Sequence, residues 1–273
     1  MPVSNSMTRR RRIHWMLRIG AVAGVLALLN CRPTPPPPAA PAQVANPGPD
    51  VPLFSVWRPF FFTSQGDHDI SFPPASGFAI RVAPDGPAYL ITALHILSPE
   101  SGLAAAVEPA SLSESVRQLV VSEAFGASDS THPLKSPLDL DPALADSEYW
   151  VDTDAVFIPL AGTLPKVRPF EISDAPPSVG DAIWLSTAVY AGAPPSQTTH
   201  RAELTAVTED GRIEYRFENP RLSFQAADGA PLIDDSGKLI GMHQRATINE
   251  ENQPATGQGV TATRLLEALG KLL

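Results

Sequence analysis

From Leu53 onward the apolar residues fall in short runs separated by Gly, Pro, Asp and Ser, the pattern of many short strands and not of long helices. Predicted strands are Gly77–Val82, Ala88–Thr92, Ala155–Leu160, Ala182–Thr187, Ala202–Val207, Arg212–Phe217, Pro231–Ile233 and Lys238–His243. Turn-forming sequences lie between them at Pro84-Asp85-Gly86, Asp210-Gly211 and Asp235-Ser236-Gly237, which predicts at least two hairpins. Only at the end does the period change: Leu265, Leu266, Leu269 and Leu272 recur at helical spacing, with Thr261 or Thr263 available as N-cap. No solenoid-type repeat is present. The expectation is an all-β domain closed by a C-terminal α-helix.

The first fifty residues follow a different pattern. Arg9 to Arg12 precede an apolar stretch from Ile19 to Leu29, the layout of a secretory signal peptide over 1–30. That stretch is shorter than the roughly twenty residues a bilayer-spanning helix needs. Leu28-Leu29-Asn30-Cys31 resembles the lipobox of bacterial lipoproteins, with Asn30 where that pattern carries a smaller residue. The resemblance implies diacylglycerol on the Cys31 thiol and a membrane-anchored lipoprotein of a bacterial cell envelope, on its periplasmic or outer-membrane face. Residues 31–52 are Pro-rich and without apolar periodicity, as expected of an extended tether. The domain then runs over 53–273.

Composition narrows the function classes. Thirty prolines against four Trp and four Tyr suit a turn-rich β domain. Net charge is -9, and without the five arginines of the first thirty residues it becomes -9 - 5 = -14. Phosphate binding needs a basic surface, so nucleic acid is not an expected partner. Cys31 is the single cysteine, so no internal disulfide supports the fold.

Three segments carry candidate chemistry. Gly77-Phe78 followed by Tyr89-Leu90-Ile91-Thr92-Ala93-Leu94-His95 ends a predicted strand on a histidine. Asp152-Thr153-Asp154-Ala155-Val156-Phe157-Ile158 places an acid at the start of a buried strand. Ala226-Ala227-Asp228-Gly229-Ala230-Pro231-Leu232-Ile233 leads into the hairpin Gly237-Lys238-Leu239-Ile240-Gly241-Met242-His243. In this order they resemble the T-A-A-H, D-x-A-x-L and G-D-S-G-G-P-L segments of the trypsin-like serine proteases. Gly259-Val260-Thr261-Ala262-Thr263 is similar to the strand before the terminal helix in the HtrA-like branch.

This resemblance implies two antiparallel six-stranded Greek-key β-barrels, the first over about 53–170 and the second over about 175–273. It implies His95 as general base and Asp154 as the acid that orients it, with Asp152 the rival. Leu222, Gln225 and His243 would line the specificity pocket, His243 at a position where glutamate-specific relatives carry a histidine. The nucleophile position falls on Asp228, and the oxyanion-hole positions on Ala226 and Asp228.

Hydrolysis by this template needs a hydroxyl that histidine can deprotonate and two N–H donors aimed at the developing oxyanion. A carboxylate at 228 offers no proton and sets a negative charge beside the oxyanion site. Ala226 puts a Cβ where the family has glycine, and Ala227 and Ala230 replace two further motif residues. Attack by Asp228 itself on an amide would give an anhydride. An Asp228–His95 ion pair is expected instead. Ser223 and Ser236 are the nearest other hydroxyls, and neither is expected to face His95.

A His-plus-two-carboxylate metal site is not expected, because Asp154 should sit behind the imidazole. No cofactor is implied. The expected function is a monomeric, non-catalytic protease homologue whose cleft binds a peptide or protein, through the edge strand around Met242 to Ala246. The alternatives are an active endopeptidase with an unrecognised nucleophile, or a structural envelope-interaction protein.

Overall fold

The computed structural model describes residues 48–248 and 255–272, apart from 66–67, 72–74, 102, 109–110, 125–130, 134–147, 161–163, 165, 189–197, 220–221, 223 and 225. The signal segment, Cys31 and most of the proposed tether lie outside the described residues.

Alternation builds the second half. In strand β10 (Arg212–Phe217), Ile213, Tyr215 and Phe217 point inward while Arg212, Glu214 and Arg216 face solvent. With β8 (Ala182–Ser186), β9 (Thr199–Val207), β11 (Pro231–Ile233), β12 (Leu239–Thr247) and β13 (Thr256–Thr261) it forms a closed barrel in the order β10-β13-β12-β11-β8-β9. All its neighbouring pairs are antiparallel. Its interior is filled by Ile183, Leu185, Leu204, Tyr215, Phe217 and Leu232.

The first half is a seven-stranded antiparallel sheet. It contains β1 (Val56–Gln65), β2 (His68–Ser71), β3 (Gly77–Arg81), β4 (Ala88–Ala93), β5 (Val116–Glu123), β6 (Thr131–Pro133) and β7 (Ala155–Pro159). The order is β6-β5-β1-β3-β4-β7, with β2 on β1. Among the described residues β6 and β7 do not pair, so the first half is a half-barrel sheet where a second closed barrel was expected. The sequence pattern missed β1, β2, β5 and β6. β1 carries Pro59, which argues against a central strand, but β3 meets β1 only at Val56 and Trp57. Beyond those residues Pro59 lies on an edge and costs no ladder bond there.

The terminal helix α3 (Ala262–Leu272) follows β13 directly. Thr261 caps it, its Oγ1 accepting from the Arg264 N–H at 3.3 Å. Leu265 and Leu269 bury into a core that continues through Met242 and Val260 to Trp57, Phe78 and Phe157. One apolar body therefore joins the two halves. Two short helices were not predicted, α1 (Leu112–Ser115) and α2 (Glu148–Thr153).

Candidate functional site

β4 ends at the buried Ala93, and a 3-10 turn over His95–Leu97 follows at once. Beside it α2 stops and β7 begins. Asp154 makes that joint with φ +48°, a left-handed conformation that aspartate tolerates better than most residues. Its backbone carbonyl accepts from Leu94 N–H at 3.1 Å. Its carboxylate takes both donors of His95: the backbone N–H reaches Oδ1 at 2.8 Å and the ring Nδ1 reaches Oδ2 at 2.6 Å. Two bonds to one histidine fix the position of its ring and keep a proton on Nδ1. The rival Asp152 instead pairs with Arg264 on the terminal helix.

From the barrel comes the turn that carries Asp228. Ser76, just before β3, holds it across the gap. The Ser76 N–H donates to the Asp228 carbonyl at 2.9 Å, and its Oγ donates to the Ala226 carbonyl at 2.5 Å. That Oγ also accepts from Ala188 N–H at 2.8 Å, while Thr92 Oγ1 donates to the Ser76 carbonyl at 2.7 Å. Gly229, at φ +79°, presses against the same network. A Cβ there would lie 2.5 Å from Thr92 Oγ1 and 2.7 Å from Ala93 N, and closer still to the Ser76 carbonyl. Ala226 adopts φ +62° in spite of its Cβ. The N–H groups of Ala226 and Asp228 donate to no acceptor among the described residues.

This scaffold brings Asp228 Oδ2 to 3.4 Å from His95 Nε2. His95 thus lies between two carboxylates, one on each ring nitrogen. Burial, the largest single influence, would lower its pKa. The Asp154 and Asp228 carboxylates together outweigh that and hold it up at about 9. At neutral pH the ring is an imidazolium with no lone pair for a proton. Because the carboxylates sit on opposite sides of the ring, the three groups do not converge on a common point where a metal could bind.

The remaining predicted residues are placed as follows. Leu222 is half-buried against the barrel interior, and Gln225 and Ser223 lie outside the described residues. His243 is wholly buried, its Nδ1 hydrogen-bonded to the Tyr215 hydroxyl and its ring stacked on Phe224. Burial pushes its pKa down to about 4, with His95 adding to that and Asp228 opposing it. Ser236 Oγ donates to Asp234 Oδ1 at 2.6 Å in its hairpin turn, away from His95.

A cavity of about 490 Å³ adjoins the His95–Asp154 pair without involving Leu222 or His243. One wall is apolar, with Leu94, Leu97, Val107 and Val151; the other carries Arg212, Gln244, Arg245 and Gln258 from the barrel. Gln244 Nε2 also donates to the Thr153 carbonyl at 2.6 Å, tying the barrel to the residue before Asp154. No motif announced Ser76 or Arg212, and Gln244 and Arg245 were expected only as part of the Met242 to Ala246 edge strand, not as cavity residues. Their roles arise from approaches between segments far apart in the chain.

A family model described as "Trypsin-like peptidase domain" matches residues 75–242. No curated protein matches the chain. Among solved structures, the Rv3671c protease of M. tuberculosis in its Ser343Ala mutant, inactive form is 18% identical, covering 80% of this chain and 86% of that one, at TM-score 0.47. The serine endoprotease from Yersinia pestis is 12% identical at TM-score 0.50, covering 80% of this chain and 62% of that one.

Proposed function

The chain belongs to the trypsin-like peptidase domain family, and from that premise we propose that it is a non-catalytic member whose cleft binds a peptide. One observation carries this reading: a carboxylate, Asp228, stands 3.4 Å from His95 Nε2, where the nucleophilic hydroxyl should be. Three requirements of acyl transfer fail together. Asp228 has no proton to give up, His95 is already protonated, and a fixed anion adjoins the N–H groups of Ala226 and Asp228. Losing one oxyanion donor costs on the order of 3 kcal/mol in such enzymes, and an anion beside the hole opposes the same charge.

Binding is supported by the barrel's free edge. β12 pairs with β13 as far as Thr247 but with β11 only as far as Met242. From Gln244 onward one side of β12 has no strand partner among the described residues, as strand addition requires. We further propose that the protein is an exported lipoprotein anchored through Cys31, supported by the basic and apolar N-terminus.

The test is fluorophosphonate labelling and casein cleavage by the full chain, by Asp228→Ser and by Ala226→Gly/Asp228→Ser. The expected result is a silent wild type and activity gained by the double variant. A wild type that labels would place an active nucleophile elsewhere and refute the reading.

A further inference from the structure

The cavity next to His95 carries two arginines in a protein whose net charge is -9. Arg212, Arg245 and His95 line it, against the carboxylates of Glu108 and Asp154. Both Asp154 oxygens are already engaged by His95. Besides Asp154, the one carboxylate in the cavity lining with Arg212 and Arg245 is Glu108. Gln244 and Gln258 add amide groups between them.

Neither arginine is committed to a buried partner. Arg245 Nη2 lies 3.4 Å from Glu100 Oε2, with the two side chains 56% and 65% exposed. Arg212 Nε lies 3.1 Å from Asp210 Oδ2, with exposures of 62% and 60%. Exposed pairs of this kind are weak, and either guanidinium can exchange its partner for an incoming carboxylate. Arginine suits that exchange because its planar fork accepts a carboxylate through two parallel hydrogen bonds.

Position relates the cavity to the free edge. Gln244 and Arg245 line the cavity and also begin the unpaired stretch of β12. A strand added along Gln244–Thr247 runs past the cavity mouth, and side chains alternate along it, so one of them turns in. The apolar wall accommodates the aliphatic part of that side chain and the arginines its head.

We propose that this cavity reads an acidic side chain, so that the bound segment is an extended peptide carrying glutamate or aspartate at one fixed register. The proposal rests on the peptide-binding reading above and adds the chemistry of the ligand. It does not involve His243, which is buried and sealed by aromatic rings.

The test uses the full chain and capped, fluorescein-labelled octapeptides, with one position fixed as Glu, Gln or Lys and the others drawn from neutral residues. Fluorescence anisotropy should find one register where Glu binds about fivefold to tenfold more tightly than Gln, with Lys weakest. Arg245→Gln or Arg212→Gln should erase that preference. Glu100→Gln and Glu108→Gln should each tighten binding about twofold to threefold, the first by releasing Arg245 and the second by removing a like charge. Binding indifferent to charge, or a Glu preference that survives both arginine substitutions, overturns the proposal and leaves peptide binding standing. Failure of every peptide to bind overturns both.

Discussion

Asp228→Asn removes one charge beside His95 and keeps the shape of the side chain, which makes it the sharpest perturbation of this site. At 3.4 Å two unit charges attract by about 1 kcal/mol in bulk water and about 5 kcal/mol at an effective dielectric of about 20. The Asp228 side chain is 44% exposed, so the lower part of that range applies. A loss of about 1.5–2 kcal/mol lowers the His95 pKa by a little more than one. The midpoint should therefore fall from about 9 to a little below 8. Asp154 still holds Nδ1, so the ring stays in place.

Imidazole NMR titration reads this directly. Six histidines are present in the chain, and His95→Gln identifies the resonance by its disappearance. A wild-type His95 that is neutral at pH 7 would refute the ion pair. So would an unchanged midpoint in Asp228→Asn.

Stability carries the same signature. The folded pKa of His95 lies above the ordinary 6.5, so its contribution is complete below about 6.5 and is lost as pH rises through about 9. The rise corresponds to at most about 3.5 kcal/mol. Urea midpoints of wild type should fall across that window, and those of His95→Gln should not.

Three other outcomes test the turn and the anchor. Gly229→Ala must force its Cβ into the Ser76–Thr92 network at a positive φ, so it should lower urea stability by about 3 kcal/mol or more. Ala226→Gly relieves a left-handed alanine and should be neutral or stabilising by up to about 1 kcal/mol. Metabolic labelling with a palmitate analogue should mark the wild type and not Cys31→Ser. Equal labelling of the two would exclude lipidation at Cys31.

Much of the domain was legible because period-two patterning survives wherever one face of a strand is buried, as in Arg212–Phe217. Of the strands that escaped detection, β2 and β6 are only four and three residues long, and β1 and β5 broke that rule in physical ways. β1 carries Pro59 and has no period-two alternation, with Pro59 to Phe62 apolar throughout, and β5 has the uneven burial of a strand joined to its partner through a bulge at Phe62/Thr63. Helix α2 is six residues long, too short for a periodic signal. His95, Asp154 and Asp228 could be found from motifs because each lies next to a strand end whose local sequence is distinctive. The hydrogen-bond network of Ser76 and the cationic wall could not, since each joins residues that only the fold brings together.

The pattern of kept and altered motif residues bears on whether the site is degraded or merely retuned. Gly229 is retained, and the structure gives a packing reason: no Cβ fits between the Ser76 carbonyl, Thr92 Oγ1 and Ala93 N. Thr92, Ala93 and Asp154 are likewise held by fold, through the Ser76 carbonyl, the β4–β7 ladder and the cap of α2. The altered positions are of a different kind. On the proposed reading Ala226 and Asp228 stand at the oxyanion and nucleophile positions, and Ala227 and Ala230 sit fully buried as alanines in the barrel core. A constraint on packing alone would keep the first group and release Ala226 and Asp228, while letting Ala227 and Ala230 change only to residues that fit the core. A constraint on hydrolysis would hold Ala226 at glycine and Asp228 at serine before any other positions. The sequence follows the first pattern, which is why the proposed reading expects a gain of activity in Ala226→Gly/Asp228→Ser: on that reading His95, Asp154 and Gly229 are already held by the fold where the two chemical residues would meet them.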